Sequence, residues 1–187
     1  MVGSDGLSIH DRPNSYIGRS VPRPNLSRLL KGRGSYADDV KLPRMLHVAF
    51  LRSSLAHAEI IKLDTDKARA AYGVVAVYTG KELSEVCSPW VGVVTHLEGM
   101  RSPPQDVLAV DIVRWQGEPV VAVVAETRAF AEDAIELIEV QYKELPLAVD
   151  MKAALDADAE VIHKDYDSNL CWERNVDVGD VKSAFAE

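Results

Sequence analysis

The sequence predicts an α+β fold, in which helices pack against a sheet. The valine-rich run Pro119–Ala125 is too short for a helix and suits a buried strand, which a proline can begin but not interrupt. Thr127 follows as a candidate helix N-cap, and apolar residues then recur at helical spacing as far as Ile138. The alternating pattern of residues 139–143 predicts a further strand, so this one stretch supplies a strand, a helix and a strand.

A hairpin is expected just before this unit. Residues 111–115 have the composition of a strand, and only Gln116, Gly117 and Glu118 separate them from Pro119. Glycine readily adopts the positive φ that a tight reversal needs. The spacing therefore predicts that residues 111–115 pair antiparallel with the central valine-rich strand.

A second strand-helix-strand unit is predicted upstream. Residues 45–52 and 59–63 are apolar and suit strands, residues 65–72 suit a short helix, and residues 74–79 suit another strand. Gly73 is placed to end the helix in the left-handed conformation. Two such units in one chain support the α+β class.

Residues 87–106 have no helical or strand period, because prolines and glycines interrupt them. Irregular segments of this length are often functional or interfacial. The most interactive side chains here are Trp90, His96, Met100 and Arg101. A binding loop is one interpretation, and a plain surface connection is the preferred alternative.

The two ends of the chain differ from its middle. Residues 1–24 are rich in glycine, serine, proline and asparagine and are expected to form an extended arm. Residues 25–150 form the predicted domain. Residues 151–187 are expected to be a linker and the start of a following region, with a strand at 170–178. The chain stops within a predicted helix, which suggests part of a longer polypeptide.

Composition excludes several classes of function. The net charge is −8 and no basic run is present, which argues against a nucleic-acid partner. The two cysteines, Cys87 and Cys171, have no metal-site spacing and are expected to be free thiols. No leader pattern or membrane span is recognisable, so the expected location is the cytoplasm.

Candidate metal ligands occur at two places. His47 and His57 have no third ligand in register, so simple hydrogen bonding is the preferred interpretation. His163, Asp165 and Asp167 offer nitrogen and oxygen donors, but the calcium-loop pattern is missing and a solvated linker is preferred. The nucleotide-binding, hydrolase, kinase and zinc-protease motifs are also missing. No residue is assigned a catalytic, cofactor-binding or metal role.

Several segments resemble a known family. These are RLLKGRGSYADDVKLPRMLHVAFLRSSLAHAEIIKLDTDKA, GVVAVYTGKEL, VRWQGEPVVAVVAETRAFAEDAIELIEVQYKELPLAVD and GDVKSAFAE. Together they resemble the N-terminal part of the large subunit of molybdenum hydroxylases, the xanthine dehydrogenase/aldehyde oxidase family. The likeness covers residues 16–187 and is greatest to members of the carbon monoxide dehydrogenase and N-heterocycle-hydroxylating types. It implies the α/β-hammerhead fold, with a mixed sheet and covering helices.

The resemblance also implies a function for the complete enzyme. In this family the large subunit carries a molybdopterin cofactor, and partner subunits carry FAD and 2Fe-2S clusters. The enzyme oxidises a small aromatic heterocycle, an aldehyde or a CO-type substrate with oxygen from water. The family's catalytic glutamate and cofactor loops lie downstream of the hammerhead domain, so neither Glu118 nor Glu126 receives that role.

The isolated chain is therefore expected to be an inactive packing domain. Two alternatives remain open from the sequence. The chain could be a naturally short subunit of a split enzyme, or a freestanding small-molecule-binding or assembly module.

Overall fold

The computed structural model describes residues 16, 20–21, 23–92, 94, 96–176 and 178–186. The chain divides into two units, Met1–Arg44 and Met45–Glu187. In the first unit, helix α1 spans Leu26–Leu30 and is followed by Gly32 with a φ of 66°. A single 3-10 turn spans Ala37–Asp39. Most of the predicted arm, residues 1–24, lies outside the described residues.

The second unit contains the strands and the remaining helices. Its elements are β1 His47–Arg52, β2 Ala58–Asp64, α2 Asp66–Arg69, β3 Val74–Thr79, α3 Gly80–Ser84, β4 Ile112–Val113, β5 Pro119–Ala125, α4 Arg128–Ile135, β6 Glu139–Glu144, a 3-10 turn Ala153–Leu155 and α5 Val181–Ala186. The predicted α+β class is confirmed, and β5 has the predicted bounds.

The strands form two sheets of three strands each. One has the order β1–β5–β3 and the other β4–β2–β6, and neighbouring strands are antiparallel in both. The expected mixed sheet is therefore wrong for the described residues. The physical reason is that each strand-helix-strand unit passes from one sheet to the other, so that its two strands never become parallel neighbours.

The predicted hairpin is also wrong. β4 pairs with β2, with Val113 opposite Ala58, whereas β5 lies between β1 and β3. β5 buries both of its faces almost completely, so it is stabilised best by a long strand on each side. Gly117 does adopt the predicted positive φ, 92°, but the turn it forms connects two sheets.

A single hydrophobic core joins the two sheets to α4. Val121 and Val123 of β5 pack with Ala131 and Ala134 of α4, and Ala58 of β2 belongs to the same buried cluster. A fully buried valine contributes on the order of 1.5–3 kcal/mol relative to an exposed one. The central strand and its helix therefore supply much of the stability of this unit.

Local signals fix the ends of the helices. The Thr127 hydroxyl accepts a hydrogen bond from the Phe130 backbone N–H at 3.2 Å, as an N-cap should. The predicted helix 65–72 is too long, because α2 ends at Arg69 with Ala70 as its C-cap, so Gly73 does not end it. Gly73 does have the predicted positive φ, 76°, and a Cβ there would lie 2.2 Å from the Phe130 ring. Both the conformation and the close packing require glycine at this position. Within the described ranges, no helix has the length and apolar character needed to cross a membrane.

Candidate functional site

The long segment 87–106 is irregular, as predicted, but it is closed at its base. Trp90 and Gln105 form an isolated antiparallel bridge, with N–O distances of 2.8 and 2.9 Å between their backbones. The Gly92 backbone N–H donates to the Ser102 hydroxyl at 3.0 Å across the same loop. Trp90 nevertheless remains 63% exposed. The described part of this segment is thus a loop closed by hydrogen bonds, with the Trp90 side chain exposed at its surface.

Arg101 ties this loop to the segment that follows the core domain. Its backbone N–H donates to the carbonyl of Cys171 at 2.9 Å. Its guanidinium donates to the Asp167 carboxylate, to the Ser168 hydroxyl at 2.8 Å and to the Leu170 carbonyl at 2.6 Å. A planar guanidinium can donate to several acceptors at once. We call Arg101 and its acceptors Asp167, Ser168 and Leu170 the clamp.

Aromatic residues reinforce the clamp. The Arg101 guanidinium lies 5.6 Å from the centre of the Tyr166 ring, at cation–π distance. The Tyr166 hydroxyl donates to the Ser102 carbonyl at 3.3 Å, and the Trp172 indole N–H donates to the Glu98 carbonyl at 3.1 Å. The loop and residues 166–172 therefore form one continuous surface.

The clamp also has an electrostatic signature. The side-chain hydrogen bond from Arg101, followed by the charge of the guanidinium, lowers the pKa of Asp167 below its ordinary value. Asp167 is thus held ionised beside the arginine. His163, Asp165 and Asp167, for which a solvated linker is preferred over a metal site, do not act as one donor set, because the Asp167 carboxylate accepts from Arg101.

Asn169 organises the segment internally. Its amide nitrogen donates to the carbonyls of Ala154 and Glu160 at 3.1 and 2.9 Å, and its amide oxygen accepts from the Ile162 backbone N–H at 3.0 Å. A groove of about 500 Å³ runs alongside, lined by Leu155, Val161 and Leu170 among others. The predicted strand at 170–178 is wrong for the described residues, whose backbone is irregular up to α5. Val176 and Val178, which complete the apolar alternation, are 71% and 82% exposed, so no sheet or core receives them.

Glu118 and His57 are buried polar residues that form hydrogen bonds within the domain. Glu118 is only 6% exposed, and its carboxylate accepts a hydrogen bond from the Arg114 backbone N–H. Burial raises the pKa of Glu118, although the hydrogen bond from Arg114 opposes this effect. The carboxylate thus closes the turn between β4 and β5.

His57 has a structural role as well. It is almost fully buried, and its Nδ1 lies 2.7 Å from the Pro146 carbonyl, so this nitrogen carries the proton and donates it. Burial lowers the pKa of His163, and the nearby Arg114 adds to the effect. Among the described residues, no three histidine, cysteine, aspartate or glutamate side chains come together as a metal site.

The clamp was not foreseen from the sequence. The sequence indicates Arg101 only as an interactive side chain, and its acceptors Asp167, Ser168 and Leu170 are 66 to 69 residues further along the chain. No local pattern signals such a pairing. The described features are those of a packing domain with an ordered surface loop.

Comparison with known proteins agrees with this description. The family model for the aldehyde oxidase and xanthine dehydrogenase a/b hammerhead domain matches residues 31–146, which is more than half of the chain. The chain therefore belongs to the aldehyde oxidase and xanthine dehydrogenase family, and the matched residues are its hammerhead domain.

Individual relatives make the similarity more specific. The chain is 37% identical to the nicotine 6-hydroxylase large subunit of Paenarthrobacter nicotinovorans, over 91% of this chain and 21% of the relative. It is 43% identical to the carbon monoxide dehydrogenase large chain of Afipia carboxidovorans, over 74% of this chain and 16% of the relative. Quinoline 2-oxidoreductase from Pseudomonas putida 86 has a similar structure, with a TM-score of 0.74 and 42% identity over 82% of this chain and 19% of that one. The chain thus spans about a fifth of the length of these relatives.

Proposed function

We propose that this chain is the hammerhead portion of the large subunit of a molybdenum-dependent hydroxylase or dehydrogenase. The observation that carries the proposal is the family match over residues 31–146, together with relatives whose names are those of hydroxylase and dehydrogenase large subunits. In this role the domain packs against the cofactor-binding region and partner subunits. It performs no chemistry alone.

We assign no cofactor-binding role to residues of this chain. The described residues bring no group of three metal-ligating side chains together, and the buried carboxylate of Glu118 accepts a hydrogen bond from the backbone of its own turn. A molybdopterin cofactor would supply the oxygen-transfer and redox chemistry when bound elsewhere in the large subunit. No step of the reaction is assigned to residues of this chain.

The proposal extends to partners and substrate. We assign FAD to a medium partner subunit and the 2Fe-2S clusters to a small partner subunit. We expect the assembly to be located in the cytoplasm. The domain limits are placed at 1–24, 25–150 and 151–187. Nicotine and quinoline, named in two relatives, are nitrogen heterocycles, and a third relative is a carbon monoxide dehydrogenase, so a small aromatic heterocycle, CO and an aldehyde are all substrates to test.

The test is an isotope experiment on the assembly captured from its native cells through a tag on this chain. A panel of N-heterocycles, aldehydes and CO is offered with an artificial electron acceptor in ¹⁸O-labelled water. The expected result is a product that carries oxygen from water. The electrons removed from the substrate should reduce the artificial acceptor. Product oxygen from O₂, or no turnover of any panel member, would overturn the proposal.

A parallel sample of the isolated chain serves as the control and should be inactive. Native recovery at the short length with a second, cofactor-bearing chain would identify a split enzyme. Tight binding of a heterocycle by the isolated chain alone would favour the freestanding module instead.

A further inference from the structure

The two faces of the β1–β5–β3 sheet have different surroundings. Side chains alternate between the faces of a strand, and residues paired across strands share a face. The cross-strand rows Ala49–Val123–Val77 and Leu51–Val121–Thr79 alternate with two others. Val77, Val121 and Val123 belong to the hydrophobic core, and Ala49 and Leu51 pack against it. This face of the sheet is therefore the covered one.

The opposite face is apolar, and it is exposed along the edge strands β1 and β3, whereas Ala122 of the central strand is buried. Its cross-strand rows are Phe50–Ala122–Tyr78 and Val48–Val124–Ala76. Val48 is 52% exposed, and Phe50 and Tyr78 are each 43% exposed. These two rows contain no charged side chain. We call this surface, defined by the six residues of the two rows, the outer apolar face.

The second sheet shows what a solvated face looks like in the same domain. On β2 and β6 the outward rows are Glu59–Lys143, Lys62–Gln141 and Asp64–Glu139, and the inward rows are Ile60–Tyr142 and Leu63–Val140. The Lys143 ammonium lies 3.0 Å from the Glu59 carboxylate, and Lys67 lies 2.6 Å from Glu139. The β4–β2–β6 sheet thus has one polar and one apolar face, as is usual for an antiparallel sheet with one solvated side. The β1–β5–β3 sheet is apolar on both faces.

The composition of the outer apolar face indicates a permanent neighbour. Interfaces that form and separate carry charged rims and mixed polarity, whereas obligate interfaces resemble a domain core. A contiguous exposed patch of valine, phenylalanine and tyrosine is costly for a free surface. Arg52 borders the patch, where its guanidinium lies 5.6 Å from the Phe50 ring and donates to the Gly117 carbonyl at 2.9 Å. This guanidinium is thus turned to the protein itself, and Arg128 and Glu132 of α4 line a cleft together with Val48 and Phe50 at the same edge of the sheet.

The length of the relatives indicates the occupant. The matched region is 16–21% of each large-subunit relative, so about four fifths of such a polypeptide remains to pack against it. We propose that the outer apolar face is where the remaining, cofactor-binding part of the large subunit packs. This inference rests on the proposed function and names the surface through which the domain performs it.

Cysteine accessibility in the assembly captured through this chain tests the inference. Phe50→Cys and Tyr78→Cys report on the outer apolar face. Ile61→Cys is the matched control, because Ile61 is an apolar residue of β2 that is 57% exposed on the solvated sheet. The probe is a maleimide, and mass spectrometry of the peptides separates each position from Cys87, Cys171 and all other cysteines.

Burial under the rest of the large subunit predicts that positions 50 and 78 react at least about tenfold more slowly than position 61, since a covered thiol is labelled only after local opening. Equal labelling at the three positions would overturn the inference. If the protection of positions 50 and 78 disappeared on dilution, the covering partner would be a second copy of the chain. That result would also overturn the inference.

A charge substitution gives a second, independent readout. Phe50→Glu should reduce the recovery of molybdenum-containing assembly, and Ile61→Glu should not. Equal recovery of the two variants would contradict the inference. If the assembly with the unchanged sequence contains no molybdenum, the proposed function itself has failed, whatever the labelling pattern.

Discussion

Arg101 and Asp167 form an ion pair that joins the irregular loop 87–106 to the segment after the core domain. The same guanidinium also reaches the Ser168 hydroxyl and the Leu170 carbonyl. One side chain thus orders two segments that have no regular secondary structure. The surface they form depends on this arginine more than on any local sequence preference.

Replacing Arg101 should loosen both segments without unfolding the sheets. Arg101→Ala removes a multidentate, charge-assisted set of contacts, and we expect a loss of roughly 1–2 kcal/mol in local stability. Arg101→Lys should recover only part of it, because an ammonium cannot copy the guanidinium fork. Hydrogen exchange should show faster opening of residues 98–105 and 166–172.

The matched control is Arg128→Ala, which removes an arginine from an exposed pair with Glu132 in helix α4. Exposed pairs at this helical spacing contribute roughly 0.3–0.5 kcal/mol. Exchange in the two segments should be unchanged in this variant. Equal effects of the two alanine substitutions would refute the clamp.

Glu118 should make stability depend on pH in an unusual direction. Because burial raises its pKa in the folded state, its favourable contribution is fully present below the unfolded value, near 4.5, and is lost as pH rises through the folded value. Glu118→Gln keeps an oxygen acceptor for the Arg114 N–H and removes the charge. The variant should therefore be at least as stable as the parent at pH 7, with the difference vanishing below pH 4.5.

Thermal unfolding from acid to neutral pH measures this effect. Glu118→Leu is the informative comparison, because it removes both the charge and the acceptor and leaves the Arg114 N–H unsatisfied. It should be destabilised at every pH. A Glu118→Gln variant that is less stable than the parent at pH 7 would contradict the assigned role.

Gly80 should not tolerate a side chain. A Cβ at this position would lie 2.1 Å from the Ala109 carbonyl oxygen and 2.6 Å from its carbon, and both are backbone atoms. We expect Gly80→Ala to cost about 1–3 kcal/mol, because the chain must shift to relieve the overlap. Denaturant unfolding measures the change.

Lys81→Ala, on the exposed side of the same helix, is the control and should be nearly neutral. A neutral Gly80→Ala would show that the segment around Ala109 can move freely. That result would conflict with the close approach between α3 and this segment.

The sequence predicted the features that depend on short-range signals. β5 was located because valine runs and a leading proline act locally, and the N-cap at Thr127 and the left-handed Gly73 follow from local hydrogen bonding and φ. The family resemblance was confirmed by the match over residues 31–146.

Features set by long-range packing were not predictable in the same way. The pairing of β4 with β2, rather than with β5, depends on how two sheets share one core. The bonds of Arg101 connect residues far apart in sequence. The apolar alternation after Leu170 predicts a strand, but Val176 and Val178 are exposed and this stretch has no partner strand among the described residues.

Elemental analysis tests the central claim most directly. Molybdenum, iron and flavin are measured, together with the intact mass of every polypeptide, on the native assembly captured through this chain. The account predicts molybdenum with iron and flavin, and a large subunit whose cofactor-binding part lies outside the residues described above. A short chain recovered alone, with neither metal nor partner, would contradict it.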